Sequence, residues 1–176
     1  DISSGRLYGI WIQVFFIHHA QNRERRIEMQ EVNIYIATTA KGPAVKKKVY
    51  YSYVLECVGR EDSAKKKEGE LENVTQNQAE LITLIKAFQR FSKSCSVRVF
   101  TRCEHVLGSM NNHWVVQWEK NDWKKQNGKT VKNAELWQQF MNLMRQHVVT
   151  FTDEPHKYSD WQEFELQKLK EKYSEE

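Results

Sequence analysis

The chain is poor in residues that punctuate or staple a fold: two prolines, seven glycines and three cysteines among 176 residues. It contains no low-complexity tract and no internal repeat. The cysteines, Cys57, Cys95 and Cys103, form an odd set without metal-binding spacing. They read as free thiols, which predicts a reducing, cytoplasmic setting. Long hydrophobic runs are also missing. The most apolar stretch, Leu7 to Ile17, is too short to span a bilayer as a helix. It lacks the basic start and small-residue cleavage site of a signal peptide, so no membrane role is expected.

A chain of this length makes about one domain with a sizeable core, and a monomer is expected. The formal net charge is +4, a mild excess that permits a polyanionic partner without demanding one. The excess is clustered at Lys46 to Lys48, at Lys65 to Lys67, and again at Lys120, Lys124, Lys125, Lys129 and Lys132. Residues 1–28 differ in character from the rest of the chain. Arg25-Arg26 can be encoded by AGGAGG, a bacterial ribosome-binding sequence, with Ile27-Glu28 as a spacer before Met29. The expectation is therefore an N-terminal extension over 1–28, a translated leader, and a domain over 29–173.

Periodicity orders the domain. Val32, Ile34 and Ile36 alternate with Asn33, Tyr35 and Ala37 in a strand pattern. Lys41-Gly42-Pro43 marks a turn. Val49 to Val58 reads as a second strand, Arg60 to Ser63 as a polar turn, and Lys65 to Leu71 as a charged edge strand. The stretch Asn73 to Phe91 is the organising helix. Ala79, Ile82, Leu84, Ile85 and Phe88 recur at helical spacing, and Thr75 with Gln78 makes a capping box. Ser96 to Thr101 is a fourth strand reached by crossover, and Glu104 to Met110 a short helix. Asn133 caps a helix through Met144. Val148 to Thr152 is a fifth strand, and Ser159 caps a last helix to about Tyr173.

Three features inside this order resemble type 1 ribonuclease H. Trp114 to Trp137 (WVVQWEKNDWKKQNGKTVKNAELW) resembles the family's basic protrusion and the helix after it. Thr75 to Glu80 resembles the TxNxxE opening of its first long helix. His156 falls where the family has a mobile histidine loop. The resemblance covers about Met29 to Leu169. It implies an α/β fold: an RNase H-like mixed five-stranded sheet, three antiparallel strands then crossover strands, with helices on both faces.

The family cleaves the RNA strand of RNA/DNA hybrids with two Mg²⁺ ions held by four carboxylates, since Mg²⁺ favours oxygen ligands in near-octahedral geometry. Here the first-strand position falls on Ala37, the helix position on Glu80, the fourth-strand position on Arg102, and the last-helix position on Phe164 between Glu163 and Glu165. A guanidinium about 4 Å from a cation costs roughly 4 kcal/mol per unit charge at an effective dielectric of 20, about double for a divalent ion.

The resemblance thus implies an RNA/DNA-hybrid recognition domain whose cleavage is lost or strongly weakened. The alternatives are an active Mg²⁺-dependent ribonuclease, with Glu80 and His156 catalytic, Glu104, Asp160, Glu163 or Glu165 taking over for the acids missing at Arg102 and Phe164, and no replacement at Ala37, or a protein-interaction module. On the binding reading, Thr75 offers its hydroxyl and N–H to a phosphate and Asn77 reaches a minor-groove edge. Lys120, Lys124, Lys129 and Lys132 track the DNA backbone, and Asn133 meets a phosphate or sugar. Arg102 either binds a phosphate or pairs with Glu80. Trp114, Trp118 and Trp137 are expected as core anchors, and Trp123 as an exposed stacking surface.

Overall fold

The computed structural model describes residues 29–42 and 45–173. The leader expected over 1–28 and Pro43 of the first turn lie outside them. Five strands form one sheet: β1 (Gln30–Thr38), β2 (Lys47–Cys57), β3 (Arg60–Val74), β4 (Cys95–Phe100) and β5 (Val148–Thr152). Their order is β3-β2-β1-β4-β5, with β1–β2 and β2–β3 antiparallel and β1–β4 and β4–β5 parallel. The helices are α1 (Gln76–Phe88), α2 (Glu104–Asn111), α3 (Trp114–Lys120), α4 (Ala134–Met144) and α5 (Ser159–Lys172). The expected mixed five-stranded α/β architecture is present.

Alternation along β1 sorts its side chains. Val32, Ile34 and Ile36 pack in the main core with Leu81, Leu84, Ile85 and Phe88 of α1 and Trp137 and Phe140 of α4. Tyr35 faces the opposite side with Val54 and Phe100, covered by Tyr158 and Trp161. Both faces of β1 are therefore covered over its centre, where Ile34, Tyr35 and Ile36 are all buried. Fully burying each such aliphatic or aromatic side chain is worth about 2 kcal/mol.

The α1 start bears out its sequence signal: the Gln78 N–H donates to Thr75 Oγ1 at 3.3 Å, and the Thr75 N–H to Gln78 Oε1 at 3.0 Å. The inward face is shifted from the periodic expectation. Leu81 and Ala87 are fully buried, whereas Ile82 is only half-buried. A helix lying between sheet and α4 buries a stripe wide enough to displace Ile82 to its flank.

The charged third strand is longer than expected. Arg60 to Ser63 belong to β3, and the hairpin turn is the pair Val58-Gly59, with Gly59 at φ +81. A left-handed glycine in a two-residue turn matches the twist of the flanking strands, and the polar residues after it stay paired because β3 is an exposed edge. Opposite Tyr51, Gly69 leaves room for the ring: a Cβ there would meet Tyr51 Oη at 2.6 Å.

Two expected caps are absent. Asn133 precedes α4 in the left-handed region at φ 60 without a capping bond, and its Nδ2 is buried without a partner. At α5 the cap position is Tyr158, and Ser159 begins the helix with its Oγ likewise unpartnered. Among the described residues no helix is long and apolar enough to cross a membrane.

Candidate active-site cleft

The carboxyl ends of the parallel strands β1 and β4 open into a cleft of about 370 Å³, closed on one side by α5 from Ser159 to Lys170. Such a switch point, where neighbouring strands send their connections apart, is where open α/β sheets build their sites. Ala37 and Thr38 end β1, Thr101 and Arg102 come just after β4, Glu80 comes from α1, His156 from the loop before α5, and Glu163 from α5 itself.

Glu80 sits at the base of the cleft and is 5 % exposed. The Thr38 hydroxyl donates to its Oε1 and the Thr101 hydroxyl to its Oε2, each at 3.1 Å. Burial raises its pKa to about 6, against the two hydroxyl bonds, which lower it. Arg102 forms no ion pair with Glu80, which corrects that expectation: the carboxylate is occupied by hydroxyls, and Arg102 is exposed. Because the folded pKa lies above the usual carboxylate value, the fold binds the Glu80 proton more tightly than the unfolded chain. Stability is highest below the unfolded pKa and falls as pH rises through about 6, by about 2 kcal/mol. Urea unfolding of wild type and Glu80→Gln at pH 4.5 and 7.5 is expected to show this loss in wild type alone. Equal pH dependence in the two proteins would contradict it.

The last-helix position is also corrected. Phe164 is 62 % exposed and packs under Lys168 rather than facing the strands. The α5 acid on the cleft is Glu163, because Gln162 and Leu166 are the residues turned to the sheet. Of the other proposed substitutes, Glu165 pairs with Lys168 at 3.1 Å, and neither Glu104 nor Asp160 lines the cleft. Asp153 and Glu154 do line it, a placement no motif marked; Arg98 holds Glu154 at 2.5 Å. Among the described residues, no three His, Cys, Asp or Glu side chains come together in a way that could hold a metal ion. With Ala37 and Arg102 at two of the positions, Glu80 capped by hydroxyls, and Asp153, Glu154 and Glu163 on the lining without gathering around it, the cleft does not fit a pair of Mg²⁺ ions.

His156 is half-buried, its ring 4.6 Å from Tyr35 and 5.6 Å from Phe100. Burial, and then the Arg102 charge, hold its pKa below the usual histidine value. The Tyr158 N–H donates to its Nδ1 at 3.3 Å. Beside it lies an element that sequence reasoning missed. Glu56 of β2, 3 % exposed, accepts from Tyr35 Oη at 3.3 Å and Tyr158 Oη at 2.5 Å, and pairs with Lys157 Nζ at 2.7 Å. The histidine segment is thereby tied to β2 just after the ring, through Lys157 and Tyr158. No local pattern announces such a network, since its members lie on different elements.

The binding residues divide. Thr75 is buried, and its N–H is spent in the capping box, so in this conformation it does not present both groups to a phosphate. Asn77 Oδ1 lies 3.7 Å from the Cys103 thiol that donates to it. Lys120, Lys124, Lys129 and Lys132 are all exposed on and around α3 and the loop to α4. Trp137 and Trp118 pack as anchors at 5.9 Å, whereas Trp114 is 44 % exposed and not an anchor. Trp123, expected to be open, is partly buried against the core at φ 58. The turn carrying Lys124 and Lys125 pulls it inward: its N–H donates to Trp118 O at 2.7 Å. Asn133 cannot offer its buried Nδ2 outward.

Comparison with known proteins places this geometry. The model of the RNase H family matches residues 29–153. A ribonuclease H of Caldicellulosiruptor saccharolyticus is 34% identical over 80 residues, covering 46% of this chain and 55% of the relative. One from Campylobacter curvus is 35% identical over 100 residues, covering 57% and 64%. The chain thus spans between half and two thirds of the length of these curated relatives. Among solved structures, a type 1 RNase H with the type 2 active-site motif superposes with a TM-score of 0.62 at 19% identity, covering 80% of this chain and 70% of the other. The foamy viral protease-reverse transcriptase in complex with RNA/DNA hybrid superposes at 0.56 with 14% identity, covering 78% and 19%. A family match over most of the chain, a β3-β2-β1-β4-β5 sheet and a cleft at the carboxyl ends of β1 and β4 lead to one conclusion: this chain belongs to the RNase H family.

Proposed function

We propose that this domain recognises RNA/DNA hybrid and has lost, or nearly lost, cleavage of the RNA strand. The observation that carries the loss is the make-up of the cleft, where Ala37 and Arg102 stand beside a hydroxyl-capped Glu80. A cation entering there meets one guanidinium and too few oxygen ligands. Recognition is supported by Lys120, Lys124, Lys129 and Lys132, exposed together around α3. Lysines spaced in this way neutralise backbone phosphates and leave sequence unread. On this reading the protein acts as a cytoplasmic monomer through residues 29–173.

Hybrid affinity measured between 50 and 200 mM salt is expected to fall with a log–log slope of roughly −3 to −4, one counterion for each of four lysine contacts. Labelled RNA in the hybrid is expected to survive in Mg²⁺ and in Mn²⁺. Affinity insensitive to salt would overturn recognition; cleavage abolished by Glu80→Ala would overturn the loss. A second reading, an active Mg²⁺-dependent hybrid ribonuclease, is favoured by Glu163 on the cleft wall and by relatives that are ribonucleases H. The same cleavage assay separates the two.

A further inference from the structure

Two hydrogen-bond donors of the cleft come from just past the end of β4 and from the loop before α5. Arg102 is exposed on the cleft wall and makes no hydrogen bond or ion pair among the described residues. His156 accepts at Nδ1 from the Tyr158 N–H, so its neutral ring carries the proton on Nε2. The imidazole packs against the Tyr35 and Phe100 rings, and Glu56 bonds Lys157 and Tyr158 just after it. The carboxylates nearby are partly spoken for: Glu80 is turned to Thr38 and Thr101, and Glu154 to Arg98. Asp153 and Glu163 also line the cleft, as do Lys41 and Lys170.

We propose that Arg102 and the Nε2–H of His156 form a clamp for one phosphodiester group of a nucleic-acid strand, and that this clamp works without a divalent ion. The proposal rests on the nucleic-acid reading above and assigns a role to the substituted position. A guanidinium presents paired N–H donors that match two non-bridging oxygens. A diester keeps two non-bridging oxygens free for such a pair.

Two measurements on the full chain test the clamp. In the first, dimethyl phosphate is titrated at pH 7 while the His156 ring resonances are followed by NMR, with chloride at matched ionic strength as control. Wild type is expected to show a saturating shift that Arg102→Ala abolishes. A shift that survives in Arg102→Ala, or that chloride reproduces, would overturn the clamp.

In the second, hybrid affinity is measured in EDTA. Arg102→Ala is expected to weaken it about tenfold, with Arg102→Lys recovering part of the loss and both variants melting like wild type. Salt-sensitive hybrid binding that ignores Arg102, or that tightens with Mg²⁺, would overturn the clamp and leave hybrid recognition standing. If hybrid does not bind at all, recognition fails, and the diester titration alone decides the clamp.

Discussion

Combining Ala37→Asp with Arg102→Asp is expected to make this chain respond to Mg²⁺. The two positions lie at the end of β1 and just past β4, and both line the cleft with Glu80 and Glu163. The pair of substitutions removes a guanidinium and supplies two carboxylates beside Glu80, Asp153, Glu154 and Glu163, so that six acids line one cavity. At about ten times the dissociation constant, a bound ion stabilises the fold by about 1.4 kcal/mol. For a domain of this size that raises the melting temperature by about 3–5 °C. In the absence of metal the variant is expected to melt lower than wild type, since the clustered acids repel one another. RNA-strand cleavage appearing only with metal, about 100-fold or more above wild type, would accompany the shift. A variant whose melting temperature ignores 20 mM Mg²⁺, or a wild type that responds as strongly, would refute the account of why the cleft is altered.

The second large effect is structural. Glu56→Ala is expected to destabilise the fold by about 3 kcal/mol, because it strands the hydroxyls of Tyr35 and Tyr158 in a buried site. Little of this comes from Lys157, whose exposed side chain returns to water. The corresponding fall in melting temperature is about 6–12 °C. Glu56→Gln keeps an acceptor for Tyr158 and should lose about half as much. The loss has a location as well as a size. Amide exchange over residues 153–158 should rise far more than over β1, since those residues hang on Glu56 through Lys157 and Tyr158. A cost below 1 kcal/mol, or exchange that rises evenly across the sheet, would show that the network does not hold the histidine segment.

Where the resemblance implies a mobile histidine loop, the segment carrying His156 is bonded to Glu56 of β2 through Lys157 and Tyr158. Tyr35 lies against the histidine ring and itself donates to Glu56. Neither stands out in the sequence: Tyr35 reads as one more strand aromatic, and Glu56 as a polar residue near a hairpin. Glu163 was visible only as a neighbour of Phe164. Choosing between them required knowing which face of α5 meets the sheet, and Gln162 and Leu166 settle that.

What the sequence determined by itself is the order of elements, the capping box at Thr75, the alternation along β1 and the anchoring of Trp118 and Trp137. These arise from local chemistry and from periods that repeat within a single element. The absence of acids at positions 37 and 102 was equally legible, because a residue type needs no coordinates. Only the tertiary structure decided that Glu80 is capped by Thr38 and Thr101, that Trp123 turns inward, that Thr75 spends its N–H in its own cap, and that Arg102 and His156 share one cleft. Each of these depends on which groups from distant elements meet in a dry space, and burial makes those meetings decisive by charging full cost for every polar atom left without a partner.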